Sequence, residues 1–104
     1  MRKEDLVKTF YALSDPIRLG IVKSILERGE LCVCQITEAF KLSQPNVSFH
    51  LRVLKEANIL IWEKRGKWVY YRINPANEVM AFIVPLIESM VSQDVSYPSC
   101  EMMP

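Results

Sequence analysis

Leu6, Val7, Phe10 and Leu13 recur at three- and four-residue intervals between Lys3 and Leu13, a spacing that predicts a first amphipathic helix. Ser14-Asp15-Pro16 ends it and starts another, because a capping residue followed by proline suits a helix N-terminus. The second helix runs to about Leu26 or Glu27, with Ile17, Ile21, Ile25 and Leu26 inward and Gly29 as its stop. A short third helix fits Val33 to Phe40. Lys41-Leu42 then makes a tight turn, and Ser43 caps a fourth helix reaching Ala57, with Val47, Leu51 and Leu54 as its buried stripe.

Beyond Ala57 the period changes from helical to strand-like. Leu60 to Glu63 and Trp68 to Ile73 are β-prone runs around Lys64-Arg65-Gly66-Lys67, which reads as a hairpin. Asn74-Pro75 closes it. A last helix from Ala76 to about Gln93 carries Val79, Met80, Phe82, Ile83, Leu86, Ile87, Met90 and Val91, with a kink expected at Pro85. Residues 1–93 thus form one domain, mainly α with a β-hairpin, in the order α-α-α-α-β-β-α. Residues 94–104 are expected to form a flexible tail carrying Cys100. Two helices joined by a short turn and followed by a basic hairpin make a winged helix-turn-helix.

Net charge, only +1 over 104 residues, is uninformative until it is divided along the chain. Residues 1–40 balance six basic against six acidic side chains. Residues 41–72 hold seven basic (Lys41, Arg52, Lys55, Lys64, Arg65, Lys67, Arg72) against two acidic, a surplus of five, and residues 73–104 hold four acidic and no basic ones. A basic middle coinciding with the fourth helix and the hairpin is what a DNA-facing surface needs. On a helical wheel Pro45, Ser48, Phe49 and Arg52 lie opposite the buried stripe, flanked by Gln44, Asn46 and Lys55. Amide, hydroxyl and guanidinium groups there suit base edges in a major groove. Lys64, Arg65 and Lys67 would reach the phosphate backbone or minor groove, adding affinity more than sequence information. Trp68, Tyr70 and Tyr71 read as sheet packing.

The remaining composition narrows the field. No run approaches ~20 apolar residues and none follows the charged N-terminus, which points to a cytoplasmic protein with no membrane span. Three cysteines in that compartment are expected as thiols rather than a disulfide framework. There is no Cys-x-x-Cys, no phosphate-cradling glycine loop and one histidine, so the chain is not read as an enzyme. His50 fits a helix residue bonding locally better than a ligand.

Several segments together resemble the ArsR/SmtB family of metal-responsive repressors. Glu30-Leu31-Cys32-Val33-Cys34 is similar to its metal box on the third helix, and the run from Leu42 to Leu54 is similar to its recognition helix. Asp15-Pro16-Ile17-Arg18-Leu19 resembles the opening of its second helix, and Gly66-Lys67-Trp68-Val69-Tyr70-Tyr71-Arg72 its wing. The resemblance covers about residues 5 to 92. It implies a homodimer that binds double-stranded operator DNA until an inducer releases it. It also implies pairing through the first and last helices, here Leu6, Phe10, Val79, Phe82, Ile83, Leu86 and Met90. The last helix shows apolar residues on more than one face, which agrees with such pairing.

Cys32 and Cys34 would supply soft thiolates suited to As(III) or Sb(III) as inducer. The arsenic-type motif of the family often adds a third cysteine three residues after the second. Thr37 stands there, which leaves Cys100, from either subunit, or a small molecule to complete the site. Zinc or cadmium ranks behind, because a four-coordinate site wants more cysteines and histidines, and the last helix lacks the family's zinc-type donors. Two positions apart on an ideal helix, side chains diverge by about 200°. One ligand on both sulfurs therefore predicts an irregular or unwound third helix as the means of release. The alternatives are a thiol-redox-sensing repressor on the same scaffold and a winged helix that binds protein instead of DNA.

Overall fold

The structure is a computed structural model and describes residues 1–91. Its elements are α1 (Lys3–Leu13), α2 (Pro16–Arg28), β1 (Leu31–Cys32), α3 (Val33–Phe40), α4 (Gln44–Glu56), β2 (Leu60–Arg65), β3 (Trp68–Ile73) and α5 (Glu78–Glu88). This is the expected winged helix-turn-helix with one addition, the two-residue strand β1. It pairs antiparallel with β3, giving a three-stranded sheet in the order β1-β3-β2. The expected tail 94–104, with Cys100, lies outside the described residues.

The helix ends follow local chemistry. Asp15 caps α2 by accepting from the Arg18 N–H at 3.0 Å, with Pro16 as the first helical residue. Gly29 ends the helix at φ +87°, a conformation that disfavours a side chain, and its N–H reaches the Ile25 carbonyl at 2.7 Å. Between α3 and α4, Lys41 takes a left-handed conformation, and the Ser43 hydroxyl accepts from the Asn46 N–H at 3.3 Å. α5 begins two residues later than the periodicity suggested. The Asn77 side chain caps it by accepting from Met80 N–H at 3.1 Å. It also stops at Glu88 rather than about Gln93, because Ser89 and Met90 turn back onto the carbonyls of Pro85, Leu86 and Ile87.

Ile21, Ile25, Leu31, Ile36, Val47, Leu51, Leu54, Ile59, Leu60 and Met80 form a continuous core between α2, α3, α4, the sheet and α5. Burying each such side chain contributes roughly 1.5–3 kcal/mol. The predicted stripe of α4 is therefore the wall that seats the helix, and its opposite face is turned outward. Two buried cations complete this frame. Lys23 donates to the Glu88 carbonyl at 2.8 Å, fastening the C-terminus of α5 to α2. Arg18 lies among α1, α2 and α4. No helix among the described residues is long and apolar enough to cross a membrane.

Candidate nucleic-acid interface and thiol site

Gln44, Pro45, Asn46, Ser48, Phe49 and Arg52 are all exposed along one face of α4. The Arg52 guanidinium stands 5.7 Å from the Phe49 ring centroid, so the aromatic ring supports the cation on the solvent side. Lys55 is half-buried, with its ammonium 4.3 Å from the centre of the Trp62 ring. β2 and β3 pair from Leu60↔Ile73 to Arg65↔Trp68 and leave a two-residue tip, Gly66-Lys67, with Gly66 at φ +62°. Lys64 and Lys67 are exposed at this tip. Arg65 is placed differently from expectation. Its guanidinium is bonded to both Glu30 oxygens, at 2.6 and 2.7 Å, and to Glu63, so three of its five N–H donors are engaged by carboxylates of the protein itself.

The orientation of α4 rests on a buried polar junction. Arg18 Nε donates to the Ala12 carbonyl at 2.8 Å, and Nη1 lies 3.2 Å from His50 Nδ1. A guanidinium only donates, so Nδ1 accepts and the imidazole carries its proton on Nε2. Asp15 Oδ2 lies 3.9 Å from the same nitrogen. His50 is therefore bonded across elements and not locally, because it occupies the inner face of α4 directly against α2. The Asp15 carboxyl is held below its usual range, first by the Arg18 backbone N–H and then by the Arg18 charge.

Cys32 and Cys34 do not both lie on the third helix. Cys32 is in β1, opposite Tyr70, and has an extended backbone (φ −94°, ψ 164°) as the N-cap of α3. Its N–H is taken by the Gln35 side chain at 2.9 Å. Cys34 is the second residue of a regular helix. The anticipated conflict of directions is thereby removed without unwinding α3. Both cysteines line one open cleft of about 380 Å³ together with Thr37, Glu38, Gln44, Lys67 and Trp68. Thr37, in place of a third cysteine, donates its hydroxyl to the Val33 carbonyl at 2.7 Å. The expectation of free thiols is also corrected. Cys32 and Cys34 are disulfide-bonded, and no described cysteine is free. Among the described residues no group of three potential metal donors assembles.

Of the residues assigned to pairing, Phe10, Phe82 and Leu86 are 53%, 85% and 71% exposed, and Leu6 and Met90 are also exposed. Ile83 is half-buried. Val79 departs from the assignment: at 7% exposure it packs into its own protomer, because it sits on the inner face of α5 beside Met80.

Residues 15–61 match the family model described as bacterial regulatory protein, arsR family. The chain is 48% identical over 69 residues to the arsenical resistance operon repressor of Escherichia coli K12, across 66% of this chain and 59% of that protein. It is 40% identical over 90 residues to the arsenic resistance transcriptional regulator ArsR1 of Pseudomonas putida, across 86% of this chain and 69% of that one. Its fold superposes with a TM-score of 0.69 and 28% identity on a solution structure from Mycobacterium bovis. That structure is the homodimeric winged helix-turn-helix DNA-binding domain of a possible ArsR-family transcriptional regulator, and the match covers 82% of this chain and 76% of that one.

Proposed function

The chain belongs to the arsR family of bacterial regulatory proteins, and from that premise we propose that it is a homodimeric, metalloid-responsive repressor. It grips operator DNA with α4 and the wing and releases it when As(III) or Sb(III) binds Cys32 and Cys34. The observation that carries this reading is the shared cleft. The two cysteines border the same space as Gln44, the first residue of α4, and Lys67 and Trp68 of the wing. A ligand on the sulfurs would share that space with residues of both elements. Release needs only that it favour a relative placement of α3, α4 and wing that does not fit the groove.

The chemistry requires thiols. Arsenous acid condenses with two of them, forming two As–S bonds and losing two water molecules, while the third hydroxyl stays for another donor. Two thiolates are soft donors matched to this element. The disulfide-bonded state must first be reduced, so the reading includes a redox condition. That same state favours a second reading, in which oxidation itself releases DNA and no metalloid is needed.

Fluorescence anisotropy of a labelled duplex from upstream of the gene separates the two. Under the first reading, reduced protein binds, arsenite or antimonite releases it, and Cys32→Ser abolishes release. Release by peroxide with none by arsenite would replace metalloid sensing with redox sensing. Binding that neither disturbs would remove the thiol site from the account.

A further inference from the structure

Arg65 is the side chain on the wing that DNA binding leaves unexplained. It ends β2 at the wing tip, flanked by Lys64 and the Gly66-Lys67 turn, yet it is bound in a two-pronged pair to Glu30. Its Nε is engaged by Glu63, and its guanidinium lies 4.5 Å from the Tyr70 ring centroid. Tyr70 is in register with Cys32 on one side and Glu63 on the other. Glu30 is separated from Cys32 by Leu31 alone. The residues form a closed ring: Cys32, Tyr70, Arg65, Glu30 and back along the chain to Cys32.

We propose that Arg65 is a positioning residue, a latch tying the wing tip to the cysteine strand so that ligand on Cys32 is felt by the wing. This rests on the reading of Cys32 and Cys34 as the inducer site. A guanidinium held by two carboxylates is a poor partner for phosphate. The pair is about two-fifths exposed, 43% for Arg65 and 36% for Glu30, and exposed pairs contribute little to global stability. Fork-to-fork geometry, by contrast, fixes direction as well as distance. β1 has only two residues paired with β3, and the ion pair adds a directional tie to the wing at its leading end. A ligand on the reduced thiols that shifts Cys32 moves β1. Glu30 carries that movement to Arg65, and so to the lysines beside it. The hydrogen bonds from Arg65, and then its charge, keep the Glu30 carboxyl below its usual range, so the latch is ionised at neutral pH.

The test uses the full chain, reduced, and compares wild type with Arg65→Lys, Glu30→Gln and the exchange Glu30→Arg/Arg65→Glu. Arsenite binding is read by sulfur-to-arsenic absorbance, and operator affinity by anisotropy with and without arsenite. Arg65→Lys keeps the charge but not the fork. It is expected to keep arsenite absorbance and arsenite-free operator affinity within about twofold of wild type. The ratio of operator affinities without and with arsenite should fall from a wild-type value in the roughly 5–150-fold range of allosteric couplings to within about twofold of unity. Glu30→Gln should behave alike, and the exchange should restore most of the ratio. Single variants that bind arsenite and release DNA as wild type does would overturn the latch. So would an exchange that folds, by circular dichroism, but restores nothing. Failure of the underlying reading is distinguishable, because wild type itself would then show no arsenite-dependent release.

Discussion

Arg18 shows how much one side chain can decide. It lies three and seven residues before Ile21 and Ile25, on the stripe that α2 buries, so the sequence carried a signal: a cation on an apolar face must find acceptors. It finds the Ala12 carbonyl and His50 Nδ1, joining α1 and α4. Arg18→Met keeps an apolar stem of similar length but strands both acceptors. The expected loss is on the order of 1–3 kcal/mol, the cost of an unpaired buried group, read as a lowered midpoint in urea. Asp15 gives a pH dependence on the same junction. Its folded pKa is depressed, so its stabilising contribution is complete above the unfolded value of about 3.9 and is lost as pH falls through the folded value. Asp15→Asn, which keeps an N-cap but not the charge, should lower the melting temperature modestly near pH 7 and flatten its decline below about pH 4. An undiminished decline would place the acid sensitivity elsewhere.

Among the elements, legibility depended on length and period. α1 and α3 have the limits their periodicity predicts, and α4 falls between the capping residues Ser43 and Ala57. β1 was invisible because two residues cannot display a period of two, and its existence depends on Tyr70 and Tyr71 arriving forty residues later. That omission propagated into the site. With Cys32 taken as helical, two sulfurs on one ligand demanded an unwound helix, whereas the extended N-cap makes the demand disappear. The wing was legible as a basic hairpin, but not the division of labour within it, since the partner of Arg65 lies at Glu30 on another element. That division is measurable. Lys64→Ala and Lys67→Ala should each weaken operator and unrelated DNA alike. Each should also reduce the slope of log affinity against log salt by about one. Arg52→Ala, on the exposed side of α4 proposed to meet the bases, should instead narrow the gap between operator and unrelated DNA, with about 1–3 kcal/mol of discrimination lost. Equal effects from all three would mean that α4 contacts backbone only.

At the scale of the whole molecule, the apolar surface of one protomer is the feature left without a use inside it. Phe10 and Tyr11 on α1 and Phe82 and Leu86 on α5 stand well into solvent, while α5 is anchored on its other side by Val79, Met80, Ile87 and the Lys23 contact to Glu88. A small domain that has already filled its core gains by covering such a face with a second copy. A two-fold pair would also present two α4 helices, and successive major grooves on one side of a duplex lie roughly 34–36 Å apart. Dimerisation and DNA binding are then coupled, because the second half-site is engaged at high effective concentration, an avidity gain of about 10²–10⁴. Phe82→Glu/Leu86→Glu should therefore give a protein that sediments as a folded monomer and binds operator about a hundredfold more weakly or worse. Val79→Ala supplies the contrast. Its side chain is interior to the protomer, so it should lower thermal stability while leaving the sedimentation coefficient unchanged. A double mutant that remained dimeric would move the pairing surface off α5. A monomer that bound operator undiminished would show that a single recognition helix and wing suffice.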